Sequence, residues 1–194
     1  VATLGAFFDA NVLYPAGLRN FLIYLALTEL FRAHWSAEVH DEWIRNLLKN
    51  RPDLTLEKLG RTRRLMDEAL PEALVTGYEH LIDSIVLPDT GDRHVVAAAI
   101  QSEAGVIVTQ NLGDFPDNVL GEFNLEAQHP DDFILALLGV SADLVLEAAT
   151  NHRASLRNPV KTTEEYLSEL DGLGLRKTVA AIRVLLSESS TAAI

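Results

Sequence analysis

Three aspartates stand where an α/β chain could use them for chemistry. Asp9 ends the apolar run "LGAFF". Asp92, with Asp89 nearby, follows "SIVLP" and opens "RHVVAAAI". Asp114 follows "VIVTQN" in the turn "NLGDF". In an open parallel sheet, ligands bind beyond the carboxyl ends of the strands. Acids at such ends share one edge, however far apart they are in sequence. Each has an ordinary structural use as well. Asp92 can cap its helix, and Asp114 can serve a turn. Asp9 is harder to assign that way, because its apolar flanks strip its hydration. These uses explain each position singly but not the shared edge.

Carboxylates about 4–5 Å apart repel by about 3–4 kcal/mol per pair at an effective dielectric of about 20. Such a cluster persists when a cation neutralises it or some acids protonate. The chain has no cysteine, so disulfides, thiolate metal sites and thiol nucleophiles are excluded. An all-oxygen donor set suits Mg²⁺ or Mn²⁺. Mg²⁺ prefers one or two carboxylates plus substrate phosphate, which points to phosphodiester chemistry. A fourth acid is expected from the helix "SAEVHDEWIRNLLKN", where Glu38, Asp41 and Glu42 compete. Asp41 lies four residues before Arg45 and can pair with it. Glu42 borders the Val39–Trp43 row. The six histidines form no i, i+4 pair and no HExxH pattern, and read as surface or packing residues. Neither GxxxxGK[ST] nor GxGxxG occurs, so no nucleotide cofactor of those kinds is expected.

The elements that must position these acids alternate. "LGAFF" reads as a buried strand, "GLRNFLIYLALTELFRAH" as a helix, and "SAEVHDEWIRNLLKN" as a second helix capped by Ser36 and ended by Pro52. "LTLEKLGRTRRLMDEAL" is a third helix stopped by Pro71. "SIVLP" reads as a strand, "DRHVVAAAIQSEAG" as a helix closed by Gly105, and "VIVTQN" and "LEAQH" as strands. Strands alternating with helices predict a parallel sheet sandwiched by helices. After "HPDDF" only helices are read, over about 131–139, 141–154, 163–171 and 174–187, with "SLRNPVKTT" as the break between pairs. The expected organisation is an α/β domain over 1–130 and an α-helical C-terminal extension over 131–194. "SESSTAAI" is a low-complexity tail.

Net charge is −12, unevenly spread. Residues 43–66 carry seven basic side chains against two acids, and residues 67–150 sixteen acids against Arg93 alone. The acidic body argues against indiscriminate nucleic-acid binding. The basic stretch leaves two readings, a local nucleic-acid contact or a solvated helix face. No apolar stretch approaches the roughly 18 residues of a membrane span. With no cysteine and no secretory signal read, a cytoplasmic location is the expectation.

The motifs "FDANVLY" at 8–14, "SAEVHDEWIRNL" at 36–47, "LPDTGDRHVVAAAI" at 87–100 and "VIVTQNLGDFP" at 106–116 resemble, in order, those of the PIN domain. That is the metal-dependent ribonuclease fold of VapC-type toxins in bacterial toxin–antitoxin pairs. The resemblance implies that Asp9, Glu42, Asp92 and Asp114 are catalytic and hold one or two Mg²⁺ or Mn²⁺. It implies supporting roles for Asn11, Asp89, Thr109 and Asn111. Related members often carry more acids where "DTGD" stands, so Gly91 is a small departure. The helical end resembles the extension of a subgroup of these toxins. The activity implied is that of an endoribonuclease, a hydrolase using an activated water, with Arg45, Lys49, Arg51, Arg61, Arg63 and Arg64 available to RNA. An antitoxin protein and a homodimer are the partners implied. A non-catalytic PIN-fold module that binds RNA or protein is the alternative. A haloacid-dehalogenase-type phosphatase would need an acid two residues after the first aspartate, where Asn11 stands.

Overall fold

The computed structural model describes residues 3–191. Five parallel strands form the sheet: β1 (Gly5–Phe8), β2 (Arg32–Ser36), β3 (Leu74–Val75), β4 (Val106–Val108) and β5 (Glu126–Gln128). Their order is β3-β2-β1-β4-β5. β1 is central and buried throughout, with Phe7 opposite His34 on one side and Ile107 on the other. This is the expected α/β class with a parallel sheet. Because all strands run one way, Asp9, Ser36 and Thr109 emerge on one edge.

Short helix α1 (Ala10–Leu13) follows Asp9 directly, and α2 (Ala16–Ala26) follows Pro15. α3 (Ala37–Asn50) starts at Ser36, whose hydroxyl accepts from Val39 N at 3.2 Å. Its row Val39, Trp43 and Leu47 is buried, as the i+4 spacing predicts. α4 (Leu56–Ala69) is capped by Thr55. α5 (Arg93–Gln101) lies against β1, β2 and β4, and every residue from His94 to Ala99 is buried. α6 (Asp117–Leu120) is a single turn before β5. Four helices complete the chain: α7 (Pro130–Val140), α8 (Ala142–Ser155), α9 (Thr163–Gly172) and α10 (Arg176–Thr191). α10 thus runs four residues past the expected end near 187, into the "SESSTAAI" stretch. Residues 192–194 of that stretch lie outside the described residues, as do residues 1–2.

Three expectations are corrected. The first long helix ends at Ala26, and "RAHWS" is β2. Leu25 through Phe31 is apolar enough to suit either element, with no glycine or proline to break it. Glu29 instead turns the chain, at φ 61°. "SIVLP" joins no strand, and the edge strand beside β2 is the two-residue β3. The alternation in "SIVLP" is nevertheless real, since Ile85 and Leu87 are buried and Val86 is 78% exposed. The segment packs by its side chains without entering the sheet. Finally, α5 stops at Gln101 and Glu103 takes the left-handed turn (φ 54°), so Gly105 does not close it.

The C-terminal helices share one continuous core with the sheet. Phe8 meets Phe31 and Phe133 edge-on at 5.9 and 6.5 Å. α8 lies along α2, where His152 stacks on Phe21 and Tyr24 and pairs with the Tyr166 hydroxyl at 2.9 Å.

Candidate functional site

Asp9 is 6% exposed. Its Oδ1 accepts from Ala10 N at 2.6 Å, which caps α1, and its Oδ2 accepts from Asn11 Nδ2 at 2.6 Å and Thr109 Oγ1 at 2.7 Å. The Thr109 hydroxyl in turn accepts from Asn11 Nδ2 at 2.9 Å and from Asn111 N at 3.0 Å. Asn11 Oδ1 takes Gln110 N at 3.0 Å. Asn11 and Thr109 therefore knit the ends of β1 and β4 around one carboxylate. Asn111 contributes through its backbone. Burial pushes the Asp9 carboxyl up, the bonds from Thr109 and Ala10 oppose that, and Glu42 raises it further. A carboxylate accepts about four hydrogen bonds. Three are made here, so Oδ1 retains acceptor capacity.

Asp92 reaches the site from the N-terminus of α5, after the tight turn Thr90–Asp92, and not from a strand end. The capping role open to it in sequence is not used, since its side chain caps nothing. Asp89 does the local work, accepting from Gly91 N at 2.7 Å. A β-carbon at Gly91 would come within 3.1 Å of that carboxylate. Asp92 is pushed up to about 6, first by burial and then by Asp9, Asp89, Asp114 and Glu42. Four other acids thus act on Asp92 at this edge. Asp114 ends the tight turn Leu112–Asp114 and is half-buried.

Of the three acids on α3, Asp41 is bound to Arg63 at 2.9 Å, away from the others. Glu42 acts on both Asp9 and Asp92. Glu38, one turn earlier, shares a neighbour with it. That neighbour is His94, buried in the first turn of α5, with Nε2 3.8 Å from Glu42 Oε2 and Nδ1 3.7 Å from Glu38 Oε2. The search for paired histidines passes over His94 because its companions are acids on another helix. The available signal was its place two residues after Asp92, on a helix buried from His94 to Ala99.

The six basic residues do not gather at the acids. Arg51 pairs with Asp53 at 2.7 Å, Arg63 with Asp41, and Arg64 lies 4.0 Å from Glu68. Arg45 and Lys49 are exposed on α3 at three and seven residues from Glu42, continuing its stripe. Arg61 is exposed on α4. Arg45 and Arg63 flank a groove of about 350 Å³ between α3 and α4, lined also by Ile44, Leu48 and Leu56. A separate cavity of about 690 Å³ lies at the opposite edge of the sheet, against Arg32, His34 and Pro71, and has no part in the acid cluster.

Among the described residues, no three His, Asp or Glu side chains stand close enough together to hold a metal ion as placed. The donor chemistry nonetheless fits a hard divalent cation. The candidate donors are all carboxylate oxygens, Asp9 is held by three hydrogen-bond donors, and burial together with neighbouring acids keeps Asp92 high. Among the described residues, no helix is long and apolar enough to cross a membrane.

The family model for the PIN domain matches residues 6–113, more than half of the chain. The model for the VapC50 C-terminal domain matches residues 130–184. A relative from Mycobacterium tuberculosis (strain ATCC 25618 / H37Rv), "Putative ribonuclease VapC50", is 42% identical over 82 residues, or 40% of this chain. The match spans about half of that relative's length, 48%. No solved structure matches the chain. The parallel sheet with its acid-bearing edge and the match over residues 6–113 together show that this chain belongs to the PIN domain family.

Proposed function

We propose that the protein is a metal-dependent endoribonuclease, the toxin of a toxin–antitoxin pair, whose site is Asp9, Glu42, Asp92 and Asp114. The observation that carries this reading is Asp92, raised to about 6 by burial and by four other acids converging on it. The naming of the mycobacterial relative as a ribonuclease supports the reaction class.

Those four acids would hold one or two Mg²⁺ or Mn²⁺. When bound, such ions supply a water acidic enough to attack a phosphodiester and charge to offset that on the leaving 3′ oxygen. The chain's own contribution is placement. Asn11 and Thr109 fix the Asp9 carboxylate and leave Oδ1 an acceptor direction. The turn ended by Asp92 and the turn ended by Asp114 bring two further carboxylates from the far side of the edge, and Asp89 shapes the first. Arg45 and Lys49 extend from Glu42 along α3 and offer cations to an RNA backbone entering there.

The 1–130 and 131–194 division belongs to this proposal. All site residues precede it, and the later helices buttress α2 and the sheet. An antitoxin is the partner, with the apolar groove between α3 and α4 as its seat. Homodimerisation and a cytoplasmic location complete the reading. A small neighbouring gene for a DNA-binding protein would support the pairing.

The direct test is RNA cleavage with Mg²⁺ or Mn²⁺ by wild type and Asp9→Asn. Loss of about 100-fold or more in the variant is expected. Equal cleavage by both would show the assigned site to be wrong. Cleavage by neither, with RNA still bound, would favour a non-catalytic binding module.

A further inference from the structure

His94 is 5% exposed, too deeply placed to be a surface residue. It faces polar groups on both sides of its ring, so it is not ordinary packing either. Nε2 looks to Glu42 at 3.8 Å and Nδ1 to Glu38 at 3.7 Å. Nδ1 is buried with no hydrogen-bond partner. An unpartnered buried polar atom costs about 1–3 kcal/mol, and for this one a carboxylate stands 3.7 Å away. Both carboxylates lie beyond hydrogen-bond distance but within a small side-chain movement of it.

Asp92 stands at the N-cap of α5 and His94 two residues later in its first turn, and α3 carries Glu38 and Glu42 one turn apart. The imidazole faces α3 from α5 across these two carboxylates, and it also acts on Asp9. One ring nitrogen faces Glu42 and the other Glu38, so an N–H can be directed to either carboxylate. We propose that His94 is a positioning residue: by donating to Glu42 it draws that carboxylate in toward Asp9 and Asp92, with Glu38 as the alternative acceptor. This rests on the metal-site reading above.

The test uses the full chain, Mn²⁺ alone as probe, and RNA kinetics with kcat and KM resolved. His94→Phe keeps the ring volume and removes both nitrogens, and His94→Gln restores an N–H donor. His94→Phe is expected to bind Mn²⁺ about 10-fold more weakly. Its kcat falls by a similar factor while KM for RNA stays within about twofold. His94→Gln recovers most of the Mn²⁺ affinity. In a Glu42→Gln background, His94→Phe adds no further loss, because the two act through one contact. If His94→Phe does not fold, His94→Asn, whose amide is too short to reach Glu42, is expected to show the same loss.

Wild-type Mn²⁺ affinity in His94→Phe or His94→Asn, no recovery in His94→Gln, or an undiminished loss in the Glu42→Gln background would overturn the proposal. Failure of the metal-site reading looks different. In that case wild type and Asp9→Asn bind Mn²⁺ equally or not at all, whatever stands at position 94.

Discussion

Two buried aspartates divide the molecule. Asp9 is 6% exposed at the sheet edge, and Asp131 is 4% exposed at the start of α7. Asp131 gives each carboxylate oxygen one backbone donor, Thr178 N at 2.8 Å and Lys177 N at 2.9 Å, and so caps α10 from another helix. Thr178 Oγ1 returns a bond to the Asp131 carbonyl at 3.1 Å. The nearby charge is complementary too, with Lys177 against Asp132. Asp9 has three donors on its carboxylate, but its charged neighbours include other acids.

Two buried histidines repeat the contrast. His152 is stacked on aromatic rings, and burial holds it down at about 4, a neutral partner for Tyr166. His94 stands between two carboxylates. One region uses its buried polar groups to join helices, Asp131 to α10 and His152 Nδ1 to Tyr166. The other gathers like charges, an arrangement that serves no folding purpose and marks function.

The largest test of the contrast exchanges the roles. Asp9→Asn should cost RNA cleavage about 100-fold or more while lowering the melting temperature less than Asp131→Ala, since the removed charge offsets the donor its amide would leave facing Ala10 N or Asn11 Nδ2. Asp131→Ala should do the reverse. It strands the Lys177 and Thr178 amides and costs about 2 kcal/mol in denaturant unfolding, with kcat of the folded protein within about twofold of wild type.

A smaller effect lies in pH. Asp92 moves from an ordinary 3.8 to about 6, so the folded state holds its proton more tightly than the unfolded chain. Its favourable contribution is complete below about pH 4 and is lost as pH rises through about 6. The melting temperature of metal-free Asp92→Asn, relative to wild type, should therefore rise between pH 4 and 7. Asp92 is half-exposed and screened by solvent, so a gain of about 2–4 °C is expected. A constant difference across that range would remove the repulsion from the account.

Smallest is the basic stripe. Arg45→Ala with Lys49→Ala should raise KM for RNA a few-fold, leave kcat unchanged, and flatten the salt dependence of binding by about one to two charges. An unchanged salt slope would assign the pair to solvent.

Most of the fold was legible because its signals are local. Ser36 and the Val39–Trp43–Leu47 row announce α3, and the β-branched run 106–108 announces β4. What escaped depends on tertiary partners. β2 was hidden because Leu25–Phe31 suits helix and strand alike. The "SIVLP" alternation is genuine, but no neighbouring strand takes it up, so Asp92 arrives from a helix N-terminus. The strand-end rule marked the edge that carries Asp9 and Asp114, with Asp92 joining them by this other route. Asp41 is held by Arg63, twenty-two residues on, and not by Arg45 four residues on as its spacing offered. His94 and Asp131 each act across elements, and Asp131 caps amides 46 and 47 residues away. No window of sequence contains such pairs.

The central claim is that these acids crowd one another until a divalent cation relieves them. The most direct measurement is a ¹³C NMR titration of the Asp92 carboxyl, with and without Mg²⁺. The account predicts a midpoint near 6 in the metal-free protein and a fall well below it when Mg²⁺ is added. A midpoint at the ordinary value of 3.8 that Mg²⁺ does not move would contradict it.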